Sequence, residues 1–311
     1  MNSKTKTILI STVLLFNNVN SFSQGCSDAG VCTAGPSHFL QSDSLKATNK
    51  ESSSIGLNFS FAMGEQGVSV LQIIPEINIG IVKNLSLQAK VPFMMISGNL
   101  ANVSGVGDVL SGLSYRLHQN EASGFSVYGG VKIPLSESNT KENKKSLPMP
   151  YQVGLGTFDV LGAITYNYKN WQVNVGYQQV LDNGNKNRFT HELWAENTDA
   201  QKYFESKAFE RGNDATFKVE RYFKIRKGTF APGILAIYRL NEDRALDSNN
   251  VRQELKGSDG LTLNIIGNAN IEIGKKSSLK FQLGFPVIIR DVRADGLTRS
   301  LVLNVGFAYL L

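Results

Sequence analysis

Cysteine is nearly missing from this 311-residue chain, with two, and histidine is scarce, with three. So small a stock of soft ligands argues against a metal cage, and no cofactor is expected. Charge is also low. Asp, Glu, Lys and Arg make up 19%, below the roughly 25% of an ordinary soluble domain. Long apolar runs are absent beyond residue 24, and mean hydropathy is -0.14. A helical membrane protein needs about 20 consecutive apolar residues per span, so that class is excluded. A disordered chain is excluded by the opposite count, 41% hydrophobic residues with 17 Phe and 10 Tyr. What remains is low charge, 29 Gly, many aromatics and only eight Pro. That mixture suits a large antiparallel barrel.

The first 24 residues read as a targeting segment. Lys4 and Lys6 precede the short apolar run Ile8 to Phe16, and a polar stretch ends at Gln24. This is a basic, apolar and cleavage-zone order, so cleavage is expected after Gln24. Without Lys4 and Lys6 the chain keeps 30 basic against 26 acidic residues, a charge of +4. So mild a balance gives no case for nucleic acid. Cys26 and Cys32, separated by five residues, are expected to form a disulfide in an exported protein. A metal site with Asp28 is the competing reading.

Alternation of apolar and polar residues carries the rest. Trp171, Val173, Val175 and Tyr177 share one face, and Gln172, Asn174 and Gly176 the other. Leu301 to Leu311 and Leu279 to Ile289 repeat the pattern. Twelve strands follow, near 55–63, 69–82, 85–95, 107–118, 124–134, 157–168, 171–182, 214–225, 229–240, 260–273, 278–290 and 299–311. Each is about ten residues, the length of a tilted strand across a bilayer. The connections alternate, short as at Lys83-Asn84 and Lys169-Asn170, long at 96–106, 135–156, 183–213, 241–259 and 291–298. Short periplasmic turns and longer outer loops are the habit of outer-membrane barrels. The expectation is an all-β, transmembrane antiparallel barrel over 55–311, after a periplasmic segment at 25–54. Its setting would be the outer membrane of a Gram-negative bacterium, with outer-membrane lipid around it. A strand ending Tyr309-Leu310-Leu311 suits delivery to the outer-membrane insertion machinery. A soluble β-sandwich also alternates, and periodicity alone does not separate the two.

Twelve charges take inward phase: Glu76, Lys90, Asp108, Arg116, Lys132, Asp159, Lys218, Glu220, Arg239, Glu272, Lys280 and Arg290. They either pair to hold the barrel's shape or line a pathway for a small-molecule solute. Arg221 falls outward among apolar residues, which calls for a bulge or snorkelling. A twelve-stranded lumen lies between barrels filled by side chains and open porins, so it is narrow and can be plugged, with a solvated surface loop at 183–213 as the alternative. One candidate is the segment 25–54. The other is loop 183–213, with Phe189, Trp194, Tyr203, Phe204 and Phe209 as gating residues and a short helix within 192–211. Pro92, Pro134 and Pro286 fall near outer strand ends. Each marks an opened pairing, through which an apolar solute could leave sideways, or simply a strand end.

Gly105-Val-Gly107-Asp108 with Tyr115-Arg116, Val91-Pro92-Phe93, Lys132-Ile-Pro134 and Gly154-Leu-Gly156-Thr-Phe-Asp159 then bring in a family. Over about 91–180 the chain resembles outer-membrane channels linked to meta-pathway phenol degradation. The resemblance implies a transporter-like barrel, distantly similar to fatty-acid and aromatic-hydrocarbon channels. An enzyme is not expected. His38, His118 and His191 lie in the N-terminal segment, at a strand end and in a long loop, and there is no G-x-S-x-G or H-E-x-x-H. The expected function is passive movement of a small solute, apolar or aromatic ones included. The alternatives are a non-conducting structural or adhesive barrel, and a periplasmic β protein.

Overall fold

The computed structural model describes residues 23–24, 52–296 and 298–311. Apart from Ser23–Gln24, the expected signal segment lies outside the described residues. So do Cys26 and Cys32 with their expected disulfide, His38, and nearly all of the expected plug at 25–54.

Twelve antiparallel strands form the wall. They are β1 (Ser54–Gly64), β2 (Ser69–Val82), β3 (Leu85–Lys90 and Phe93–Ser97), β4 (Asn102–Val106 and Val109–Gln119), β5 (Ser123–Ile133) and β6 (Thr157–Tyr168). Then come β7 (Trp171–Asn183), β8 (Asp214–Arg221 and Phe223–Ile225), β9 (Gly228–Arg239), β10 (Gly260–Glu272), β11 (Ser277–Ile288) and β12 (Thr298–Leu310). Each strand pairs with its sequence neighbours. β1 also pairs with β12, from Ser54 opposite Leu310 to Met63 opposite Leu301, and this closes the barrel. Closure joins the first strand to the last, so most backbone groups of the wall are paired strand to strand, as a backbone in lipid requires.

The period-two pattern sets what faces where. Phe59, Leu113, Ile164, Val175, Phe217, Ile234, Ile265, Leu283 and Leu303 are all exposed on the outside. They come from nine strands and make an apolar surface that runs round the wall. Such a surface is far larger than a soluble monomer tolerates, and a sandwich would have buried it. The inside is mostly polar, with Ser60, Gln72, Ser126, Thr165, Asn174, Gln178, Asn264 and Asn268 buried. Tyr128 narrows it further. Its ring lies where a Cβ on Gly112 or Gly130 would sit, so only glycine at both places lets it lie flat against the wall.

Three local features depart from the expected pattern. β4 starts at Asn102, so the long loop expected at 96–106 is a tight connection, Gly98 to Ala101. Asn102 to Val106 extend the β3 ladder, which recruits them into the wall. The helix expected within 192–211 is replaced by two 3-10 turns, Glu192–Trp194 and Ala200–Lys202, because the segment packs through scattered aromatics and has no apolar stripe of helical period. Arg221 needs no bulge. β8 keeps one register across Tyr222, with Glu220 opposite Gly233 and Phe223 opposite Phe230, and Pro232 falls opposite Arg221. The proline supplies no ladder donor there. Arg221 itself stays outward, with its guanidinium carbon 5.3 Å from the Trp171 ring centre and 5.1 Å from that of Phe223.

The three prolines do different things. Pro92 separates the two pieces of β3, and Pro134 follows the end of β5. Pro286 sits beside a register shift in the β10–β11 ladder. Pairing between β11 and β12 stops at Gly284 opposite Val302, although β11 continues to Ile288. Ser23–Gln24 form a two-residue strand against Arg299 and Thr298, on the edge of β12 that β11 leaves.

Candidate functional site

The inward charges gather into three groups at different heights. The first lies at mid-wall, where Glu76 of β2 is 3.1 Å from Lys280 of β11 and 3.8 Å from Lys90 of β3. Lys218 of β8 lies 2.9 Å from Glu220 on the same inward face. Asn268 of β10 completes the group with a hydrogen bond to Glu220. Glu76, Lys90 and Lys218 remain half-buried, whereas Glu220 is fully enclosed.

The second group is set toward the outer ends of β5 and β6. Lys132 Nζ lies 2.6 Å from Asp159, 3.9 Å from Asp108 and 3.0 Å from the Thr157 hydroxyl. Gln178 donates to Asp159 from β7. Asp108 sits in the break of β4 and accepts at 3.0 Å from the Leu155 N–H. It thus ties the wall to the long loop after β5.

The third group closes the outer mouth. Arg239 at the end of β9 is fully buried and reaches Asp214 at 2.6 Å, Asp295 at 2.9 Å, and Asp243. Arg211 holds Asp214 from the other side, and Arg290 is 3.1 Å from Asp295. Three arginines meet three aspartates, so the group is neutral. Burial pushes the Asp243 carboxyl above the usual carboxylate range, opposed by Arg239. Burial and the neighbouring Arg239 together lower Arg290. Beside this group Glu65 meets Arg293 at 2.5 Å, joining the first outer turn to the last outer loop.

The outer loops fold over the mouth and share a core with the wall. Val70, Met94 and Ile96 point inward and pack with Leu147, Tyr151, Phe189, Trp194 and Tyr203. Phe209 packs separately with Met149, Leu155 and Ala294, and Phe204 lies half-buried against them. Trp194 Nε1 donates to the Ser146 carbonyl at 2.7 Å. The Tyr151 and Tyr203 hydroxyls are 3.2 Å apart, and Tyr151 accepts from the Leu100 N–H at 3.1 Å. Burial and the Tyr151 contact hold the Tyr203 phenol protonated well beyond the ordinary range. Tyr151 is seated on Gly98, where a Cβ would collide with its hydroxyl.

Ten of the twelve expected lumen charges therefore fall into these three groups. Arg116 does not join them and lies half-buried below, toward the short-turn end of β4. Glu272 is a correction. It ends β10 at the short-turn rim and is exposed there, because the strand has already crossed the lumen by that residue. Asp214, Asp243, Asp295, Gln178 and Tyr151 were not anticipated. Apart from Asp214 and Gln178, they sit in loops where no periodicity marks them. His118 contacts Asn120 at 3.2 Å, and His191 contacts the Tyr203 carbonyl at 2.7 Å. Neither contact is the serine pairing that a nucleophilic site needs. Among the described residues no His, Cys, Asp and Glu cluster could hold a metal ion.

No family model matches the chain, and no curated protein matches it. Solved structures do. The chain is similar to the COG4313 outer membrane channel from Pseudomonas putida F1, at 15% identity and a TM-score of 0.60 over 88% of this chain and 100% of that one. The NanC porin follows at 7% identity and 0.47, over 83% of this chain and 100% of that one, and the KdgM porin in complex with disordered oligogalacturonate at 9% and 0.42, over 82% and 98%. An outer membrane phospholipase A from Escherichia coli is a more distant neighbour, at 11% identity and 0.38 over 91% and 98%. The first of these likenesses supports the fold alone, a closed twelve-stranded antiparallel barrel.

Proposed function

We propose that this protein is a passive channel for small solutes in the outer membrane of a Gram-negative bacterium. One observation carries the reading: a closed wall, apolar outside, encloses a polar inner face whose charges sit at three heights. A purely structural barrel could fill its lumen with apolar side chains at less cost, since burying charge is expensive even when paired. Glu76, Lys90, Lys218 and Lys280 form the constriction a solute must pass. The loop 184–213 is the gate, held down by Phe189, Trp194 and Tyr203. The resemblance to meta-pathway channels puts aromatic solutes among the candidates.

Conductance of the refolded protein in a planar bilayer tests this. The wild type is expected to pass small, intermittent currents. Trp194→Ala removes the anchor of the gate and is expected to raise the open fraction several-fold. Silence from both, with the protein shown to be inserted, would leave a non-conducting scaffold as the better reading.

A side exit is favoured by the lost pairing beyond Gly284 and Val302, once the expected cleavage after Gln24 removes the Ser23–Gln24 strand that lies against Thr298 and Arg299. Apolar solutes would leave there without crossing the outer cap. Phe285→Cys with Leu301→Cys, the first positions past the last paired ones, would bridge the gap on oxidation. Uptake of an aromatic solute is expected to fall on oxidation and recover on reduction. Unchanged uptake in the bridged protein would remove the side exit.

A further inference from the structure

The two ends of the barrel carry different charge. The outer connections, between β1 and β2 and after β3, β5, β7, β9 and β11, hold thirteen basic residues against fifteen acidic ones. The short turns at the other end hold six basic residues, Lys83, Lys169, Arg226, Lys227, Lys275 and Lys276, against Glu121 alone. All seven are exposed.

Position makes this more than a solvated rim. The Lys169 ammonium is 5.3 Å from the Tyr168 ring centre and the Lys276 ammonium 5.9 Å from that of Tyr309. Arg221 lies over Trp171 and Phe223 as described. Tyr168, Trp171, Phe223 and Tyr309 are all exposed on the outer side of the wall. Outward aromatics at strand ends lie at the level where hydrocarbon gives way to headgroups. Cations held over those rings therefore sit beside the wall, at phosphate height, and face lipid instead of the lumen.

We infer that the short-turn rim binds the headgroups of anionic phospholipids in the leaflet that surrounds it. The aromatic ring supports the acyl-chain end of each lipid, and the stacked Lys or Arg meets its phosphate. This inference rests on the bilayer-spanning reading of the wall and is independent of whether the lumen conducts.

Trp171 is a built-in reporter, because the other tryptophan, Trp194, is buried in the outer cap. The refolded full chain would be inserted into phosphatidylcholine vesicles containing brominated phosphatidylglycerol or brominated phosphatidylcholine, and Trp fluorescence quenching compared. The anionic lipid is expected to show roughly five-fold higher relative affinity, the contribution of one cation near an anionic surface. In 1 M salt, where the screening length is about 3 Å, the ratio is expected to fall to about one. The triple variant Lys169→Gln, Arg221→Gln, Lys276→Gln is expected to lose the preference in low salt as well. Equal quenching by both lipids in the wild type would overturn the inference while leaving the barrel in the membrane. A preference that survives both salt and the triple variant would overturn it too, by placing the attraction elsewhere. Absence of quenching by either lipid would overturn the bilayer-facing wall itself and the inference with it.

Discussion

The outer mouth and the short-turn rim use charge in opposite ways. At the mouth, Arg211, Arg239 and Arg290 are buried with Asp214, Asp243 and Asp295, in equal numbers and within hydrogen-bonding reach. At the rim, cations outnumber acids, and Lys169, Arg221 and Lys276 lie over aromatic rings at the edge of the wall. The difference teaches that burial decides balance. A charge removed from water must be matched by its neighbours, whereas a charge left at an interface answers to what lies outside the protein.

The strongest way to break the mouth is Arg239→Met. It leaves three aspartates short of the cation they share, in a fully buried place. Losing one side of a buried pair costs about 3–5 kcal/mol. Guanidinium unfolding in detergent is expected to show that loss, with hydrogen exchange rising first in the loops that carry Asp243 and Asp295. A loss under about 1 kcal/mol would mean that water replaces the arginine easily and that the mouth is less sealed than its burial implies.

The matching change at the rim is Arg221→Gln, and its effect is expected to be far smaller. A cation over a ring at an exposed site contributes about 0.5–1 kcal/mol, and the same unfolding measurement would resolve it. A cost as large as that of Arg239→Met would erase the distinction between the two ends.

The smallest expected effect belongs to the outer hairpin that holds Asp247. Its carboxylate accepts from the backbone N–H groups of Val251 and Asn249, each at 2.9 Å, and from Gln253 at 3.2 Å. The bond from Val251 does most to hold its pKa below the ordinary value. A depressed folded pKa gives stability above the unfolded value of about 3.9, and that stability is lost as pH falls through the folded value. Amide exchange at Asn249 and Val251 is expected to quicken in that acid window, with the wall unchanged. Exchange independent of pH, after correction for its intrinsic rate, would remove Asp247 as the holder of this hairpin.

Much of the wall could be read before any coordinates. Most strand ends fell within one or two residues of those expected, because a period-two pattern flips every side chain if the register slips by one. The exceptions had no such penalty. The β3–β4 connection contains Gly98 and Asn99, residues that suit a loop, and only pairing with Phe93 to Ser97 brings Asn102 to Val106 into the sheet. The gating aromatics are legible as a group, but the partners that bury Phe189, Trp194 and Tyr203, namely Val70, Met94 and Ile96, come from strands more than ninety residues earlier.

By itself the sequence determined the class, the strand number and which face of each strand meets lipid. Those follow from local alternation, turn length and the absence of long apolar helices. Only the tertiary structure decided that Glu76 is shared by Lys90 and Lys280, that Arg239 gathers three aspartates, and that the outer loops close the mouth with a core of their own. The physical reason is distance along the chain. Alternation is written in neighbours, while a buried charge or a plugging aromatic is matched by residues that only closure of the barrel brings near.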